Sequence, residues 1–232
     1  MKFHRIGIAK RLILARKFTQ AKSLLRSLAD KNHAEAQLLL GYLFYGGDPE
    51  TTMEDAQHWL EKSADNRNAE AIALLASIKA NPRPWRPVRY NGTFLSLTRK
   101  AANMGSAEAQ RSLACAYAHG DRVPQDNRSA MFWDEKAARQ GLAESQNDLA
   151  LMLLLGMGGE VDLEGAIAWY KKSASEDSNV PYAQWAAEAL SQIFGGTPYR
   201  NLAKPEEAEY WRNRAQRLTT LSCRPHPDWF YK

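Results

Sequence analysis

The sequence contains only two cysteines, Cys115 and Cys223, in no C-x-x-C pair and beside no histidines at zinc spacing. Disulfide stapling and a structural zinc are therefore excluded as what holds the fold together. The five histidines, His4, His33, His58, His119 and His226, form no H-x-x-x-H or H-E-x-x-H pair, so no two of them share a helical face as metal ligands. No apolar run approaches the ~18 residues of a membrane span; residues 149–157 come nearest and stop far short. A G-x-S-x-G elbow, a phosphate-cradling glycine loop and a dinucleotide fingerprint are all missing. The cluster Gly156, Gly158 and Gly159 has no strand before it and reads as a turn. Acid pairs such as Glu54–Asp55, Asp134–Glu135 and Glu206–Glu207 fall where a solvated face and a helix dipole explain them. The expectation is a chain with no catalytic activity, metal or cofactor.

What is present is a composition for a packed core: 232 residues, 44% hydrophobic and 25% charged. The net charge of +5 is unevenly spread. The first 31 residues hold nine Lys and Arg against the single acid Asp30, which is +8, so the rest sums to −3. Cations at Arg5, Lys10, Arg11, Arg16 and Lys17 interrupt the stretch where an export signal keeps a clean apolar segment, which predicts a cytoplasmic protein.

Self-similarity organises the remainder. Ala-Glu-Ala recurs at Ala34, Ala69 and Ala107, and Ala-Glu-Ser at Ala143, in steps of 35, 38 and 36 residues. A second motif follows each start: Ala56, Trp59, Lys62; Ala130, Trp133, Lys136; Ala166, Trp169, Lys172; and Ala208, Trp211, Arg214, each at A-x-x-W-x-x-[KR] spacing. Phe94, Leu97 and Lys100 form a degenerate copy, and Ala21 and Leu24 another. Leu40-Gly41, Leu75-Ala76, Leu113-Ala114 and Leu149-Ala150 stand three and four residues past Gln37, Ile72, Gln110 and Gln146, a helical spacing. Glycines at 46–47, 120, 156–159 and 195–196 end each first helix, and Asp126, Asp162 and the Lys204-Pro205-Glu206-Glu207 run mark starts of second helices. These features predict an all-α solenoid of six antiparallel helix-pair repeats in which no pair buries its apolar face alone.

The motif A-E-A-Q-x-x-L-[GA], with Phe44 and Tyr117 in place and A-x-x-W-x-x-K-[SA]-A after it, resembles the Sel-one-like repeats, relatives of the tetratricopeptide repeats. The resemblance covers about residues 33 to 218. It weakens where Phe94 and Leu97 replace Ala and Trp, and where Ala187-Glu188 breaks the Leu-small pair. It implies a right-handed superhelix with an N-terminal capping pair at 1–32 and a solenoid at 33–219. The repeats fall at 33–68, 69–106, 107–142, 143–180 and 181–219, with an insertion at 80–92 and an aromatic tail at 220–232.

In that family the first helices line a concave surface that grips protein or peptide, so function belongs to positions between the signature residues. Those are Tyr42, Tyr45, Arg111, His119, Asn147, Met152, Trp185 and Gln192, rich in hot-spot residue types. The insertion, with Pro82, Pro84 and Pro87, carries Arg83, Trp85, Arg86, Arg89 and Tyr90, which either meet a partner or pack over the degenerate repeat. The tail ends in Trp229, Phe230 and Tyr231, which either cap the last repeat, line the groove or dock into a partner. The implied function is a bacterial interaction scaffold, either an adaptor or an immunity protein that occludes a secreted toxin. The alternative is a nucleic-acid or anionic-surface binder using the basic start and the Arg-rich insertion.

Overall fold

A computed structural model describes residues 2–80, 92–175, 180–196 and 199–222. Among them are twelve α-helices, one 3-10 turn (Arg200–Leu202) and no strand. The helices are α1 (Lys2–Leu14), α2 (Phe18–Ala29), α3 (Ala34–Tyr45), α4 (Met53–Asp65), α5 (Ala69–Ala80), α6 (Gly92–Asn103), α7 (Ala107–His119), α8 (Asn127–Arg139), α9 (Ala143–Leu155), α10 (Leu163–Ser175), α11 (Val180–Phe194) and α12 (Pro205–Ser222). The all-α helix-pair repeat is as predicted. No described helix is long and apolar enough to cross a membrane. The chain divides into two compact halves, up to Gln110 and from Arg111.

In the first half each helix from α1 to α6 packs on the next. Ile6 and Ala9 of α1 join Leu25 and Leu28 of α2 and Leu39, Leu40 and Leu43 of α3 in one apolar cluster, with Trp59 lying against it. Gly41 lies where α3 meets α4. A Cβ there would stand 2.5 Å from Leu60 Cγ, so the missing side chain sets the approach of the two helices. In the second half α8 to α12 pack in succession, around a cluster of Ala150, Tyr170, Ala187, Leu190, Ile193 and Phe194.

The repeated residues make repeated bonds. The motif glutamine donates its amide to a carbonyl eight residues back, at the end of the preceding helix: Gln37 to Ala29 at 3.0 Å, Gln110 to Ala102 at 3.1 Å and Gln146 to Ala138 at 3.4 Å. Each of these carbonyls also accepts a backbone N–H from the turn that follows, of Asn32, Gly105 or Gly141, so the glutamine fills the oxygen's second acceptor site. The turn before each glutamine, and before Ile72 in the second repeat, closes identically, His33, Asn68, Ser106 and Leu142 donating to the carbonyls of Leu28, Ser63, Ala101 and Ala137. Its left-handed position is Asn32, Arg67, Gly105 or Gly141.

The Trp-x-x-Lys pairs place a Lys ammonium 4.9 Å from the indole at Trp59–Lys62, Trp133–Lys136 and Trp169–Lys172. In the fourth copy Arg214 instead donates to the Ala174 carbonyl, at 3.2 Å from Nε and 3.1 Å from Nη2. The expected caps are present: Asp126 accepts from the Arg128 N–H and Asp162 from the Gly165 N–H. Thr52 and Asp55 add a capping box at α4. The degenerate second pair still folds as α5 and α6, with Phe94 buried in place of the small Ala.

Candidate partner-binding surface

In the first half, Tyr45 is half-buried against the cluster of Leu60, Ala71, Leu75 and Ile78, and burial pushes its hydroxyl up to about 12. That ring is committed to packing. Tyr42 lines a shallow notch with Ile13, Leu14, Arg16 and Gly46, and Leu14 is largely exposed at its edge. Glu35, on the same face of α3, is neutralised by Lys10 at 2.7 Å. Arg83, Trp85, Arg86 and Arg89 of the insertion, and Trp229, Phe230 and Tyr231 of the tail, lie outside the described residues.

The second half gathers more of the predicted positions. Arg111 is half-buried, with Nη2 4.0 Å from Asp148 and Nη1 3.7 Å from Cys115 Sγ. Its Nε has no hydrogen-bond partner among the described residues, and neither has Oε2 of Glu144. Burial raises the Cys115 thiol above its ordinary range despite Arg111, which argues against a thiolate nucleophile. His119 is exposed, its Nδ1 donating to the Cys115 carbonyl at 2.9 Å.

Two predicted contacts are spent inside the fold. Asn147 is buried, its amide donating to Ser173 Oγ at 2.8 Å, the Tyr182 carbonyl at 3.0 Å and the Ala143 carbonyl at 3.3 Å. Met152 is buried beside the Leu149-Ala150 pair. Neither offers a surface. Trp185 does: it is 57% exposed, its ring edge-on to Tyr182 at 5.3 Å, with Gln192 exposed two turns along.

Sequence reasoning missed the residues that share this exposure. Leu151 and Leu155 are 44% and 57% exposed. They continue the line of Glu144 and Asp148 at spacings of four, seven and eleven residues, one helical face. Residues 149–155 are apolar on nearly every side of the helix, so hydrophobicity could not tell the outer face from the inner. The signal available was register, because Leu151 stands one past the Leu149-Ala150 pair, the place that the groove position Tyr42 holds in the first repeat.

The sequence places Asp134 in a solvated acid pair, yet it is 4% exposed and sits in the core. Its Oδ1 accepts from Ser145 Oγ at 2.7 Å, and burial, reinforced by Asp148, pushes it up to about 7. The reason is position. Asp134 directly follows Trp133, where Leu60 and Tyr170 point inward in other repeats. No cluster of three His, Cys, Asp or Glu suited to a metal occurs among the described residues.

A family model for the Sel1 repeat matches residues 34–68, 107–142 and 143–178. The chain carries Sel1 repeats. Solved structures of Sel1 repeat proteins share the fold. One from Oxalobacter formigenes superposes with a TM-score of 0.74 at 21% identity, over 94% of this chain and 88% of that one. A protective antigen of uropathogenic Escherichia coli with the same repeat fold gives 0.67 at 20% identity; this chain is covered to 98% and spans half of that protein's length. An immunity protein from Pseudomonas aeruginosa gives 0.59 at 19% identity, over 97% and 86% of the two chains. No curated protein sequence matches.

Across the Sel1 repeats, the matched signature residues are those bound into architecture: Gln37, Gln110 and Gln146 on helix ends, Trp59, Trp133 and Trp169 under their lysines. Chemistry toward a partner is left to positions the signature does not constrain. In the second half these are the outer faces of α9 and α11, where exposed Leu151, Leu155, Trp185 and Glu188 stand with the half-buried carboxylates of Glu144 and Asp148.

Proposed function

We propose that this Sel1 repeat protein is a non-catalytic scaffold that holds a partner protein on the first-helix face of its second half. The observation that carries the reading is the exposure of Leu151, Leu155 and Trp185, three large apolar side chains on neighbouring first helices. Apolar groups grouped in this way mark interaction sites. Sel1 repeat proteins are typically interaction scaffolds. The fold shared with Pseudomonas aeruginosa immunity proteins supports a finer reading, in which the partner is a toxin occluded by the chain in a bacterial cytoplasm. An adaptor role uses the same face.

Affinity capture from cells that make the protein, followed by mass spectrometry, tests the reading. A stoichiometric protein partner is expected, lost when Leu151, Leu155 and Trp185 are changed together to Ala and kept when the exposed Phe132 of α8 is changed to Ser. A partner indifferent to the triple change, or salt-sensitive binding of random RNA or DNA in place of a protein, overturns it.

A further inference from the structure

Acids outnumber cations on the exposed faces of α9 and α11. By helical spacing α9 presents Glu144, Asp148, Leu151 and Leu155, and α11 presents Trp185, Glu188 and Gln192. Against the three carboxylates stands Arg111, 4.0 Å from Asp148 and so only loosely paired, with the His119 ring near enough to act on the same carboxylate. Glu188 accepts from the neutral amide of Gln184 at 2.9 Å, and Oε2 of Glu144 is buried with no hydrogen-bond partner among the described residues. Burial, and after it the neighbouring Glu144, hold Asp148 above the usual carboxylate range in spite of Arg111.

We propose that this face takes a cationic amphipathic segment of the partner, with Lys or Arg heads over Asp148, Glu144 and Glu188 and apolar side chains over Leu151, Leu155 and Trp185. The inference rests on the scaffold reading and adds the chemistry of what is held. Charge complementarity selects the occupant: acidic segments are repelled, and a purely apolar one leaves the carboxylates desolvated and unpaired. A helix with apolar groups at every third or fourth position and cations between them fits the mixed stripe.

The test uses the full chain and three labelled peptides of equal length followed by fluorescence anisotropy: an amphipathic Leu/Lys peptide, its Leu/Glu counterpart and a Ser/Lys peptide of the same charge. The Leu/Lys peptide is expected to bind one to one, at least about tenfold tighter than either control and weaker at high salt. Glu188→Lys and Leu155→Ser are each expected to weaken it about tenfold, with thermal melts confirming the fold. Equal binding of the Leu/Glu peptide, or no loss in both variants, overturns the proposal. Sedimentation of the free chain separates a second occupant: self-association abolished by Glu188→Lys would make the basic N-terminal helices of another copy the ligand, and would overturn assignment to a partner. A captured partner released by the triple Ala change but indifferent to Glu188→Lys and to salt overturns the charge assignment alone. Peptide binding as expected with no captured partner overturns the scaffold reading alone.

Discussion

Asp48 in the first half and Asp134 in the second are 5% and 4% exposed, yet they titrate in opposite directions. Burial raises both. Around Asp48 it is outweighed by the Lys22 ammonium at 2.5 Å, the Thr51 hydroxyl and the Glu50 N–H, so the carboxyl ends below its ordinary range. Asp134 has a hydroxyl from Ser145 and, among the described residues, no cation within bonding distance, so burial wins and the group reaches about 7. Burial sets the scale of a carboxylate's shift, and a bonded cation sets its sign.

The same contrast runs through the first-helix faces. Glu35 on α3 is tied to Lys10, Leu39 beside it is buried and Tyr42 sits in its notch; at matching register α9 carries Glu144 with an unpartnered oxygen, a loosely paired Asp148 and an open Leu151. One face is neutralised within its own half, and the other keeps its carboxylates loosely paired beside exposed apolar side chains.

Changes at the two aspartates break the comparison most sharply. The folded-state value of Asp134 lies above its unfolded 3.8, so its contribution is full below about pH 4 and is lost as pH rises through about 7. Asp134→Asn should therefore raise stability at pH 8 by ~2–4 kcal/mol and change little at pH 4, as read by urea melts at both values. Lys22→Met strips Asp48 of its cation and should cost ~1–3 kcal/mol near neutrality. Because Asp48 is depressed in the fold, that loss should shrink as pH falls through its folded value, the reverse of the Asp134 trend.

Gln37→Met abandons the Ala29 carbonyl and the amide of Asn66 and should cost about 1 kcal/mol. The second repeat already has Ile72 at that register and should tolerate Ile72→Met with a smaller change. Smallest is Arg67→Gly: a left-handed Arg at φ 60° replaced by the residue used at Gly105 and Gly141 should gain under about 1 kcal/mol in a thermal melt.

Architecture was legible in the sequence because each repeat reuses the same chemistry at the same place. Gln37, Gln110 and Gln146 announce a helix junction, and the turn glycines Gly47, Gly120, Gly156 and Gly196 all have positive φ. The site was less legible because its residues differ from repeat to repeat. Asn147 resembled a groove residue, but it sits next to Gln146 on the inner side, where its amide joins three acceptors. Asp134 resembled a solvated acid because composition cannot tell that the residue after Trp133 points inward. Thr52 lay outside the residues that recur and was overlooked as a cap.

Amide hydrogen exchange of the chain with and without its captured partner reads directly which helices the partner covers. Added protection is expected in α9 and α11, and loss of that protection in the Leu151, Leu155 and Trp185 triple Ala variant. Protection confined to the second helices α8, α10 and α12 would contradict it.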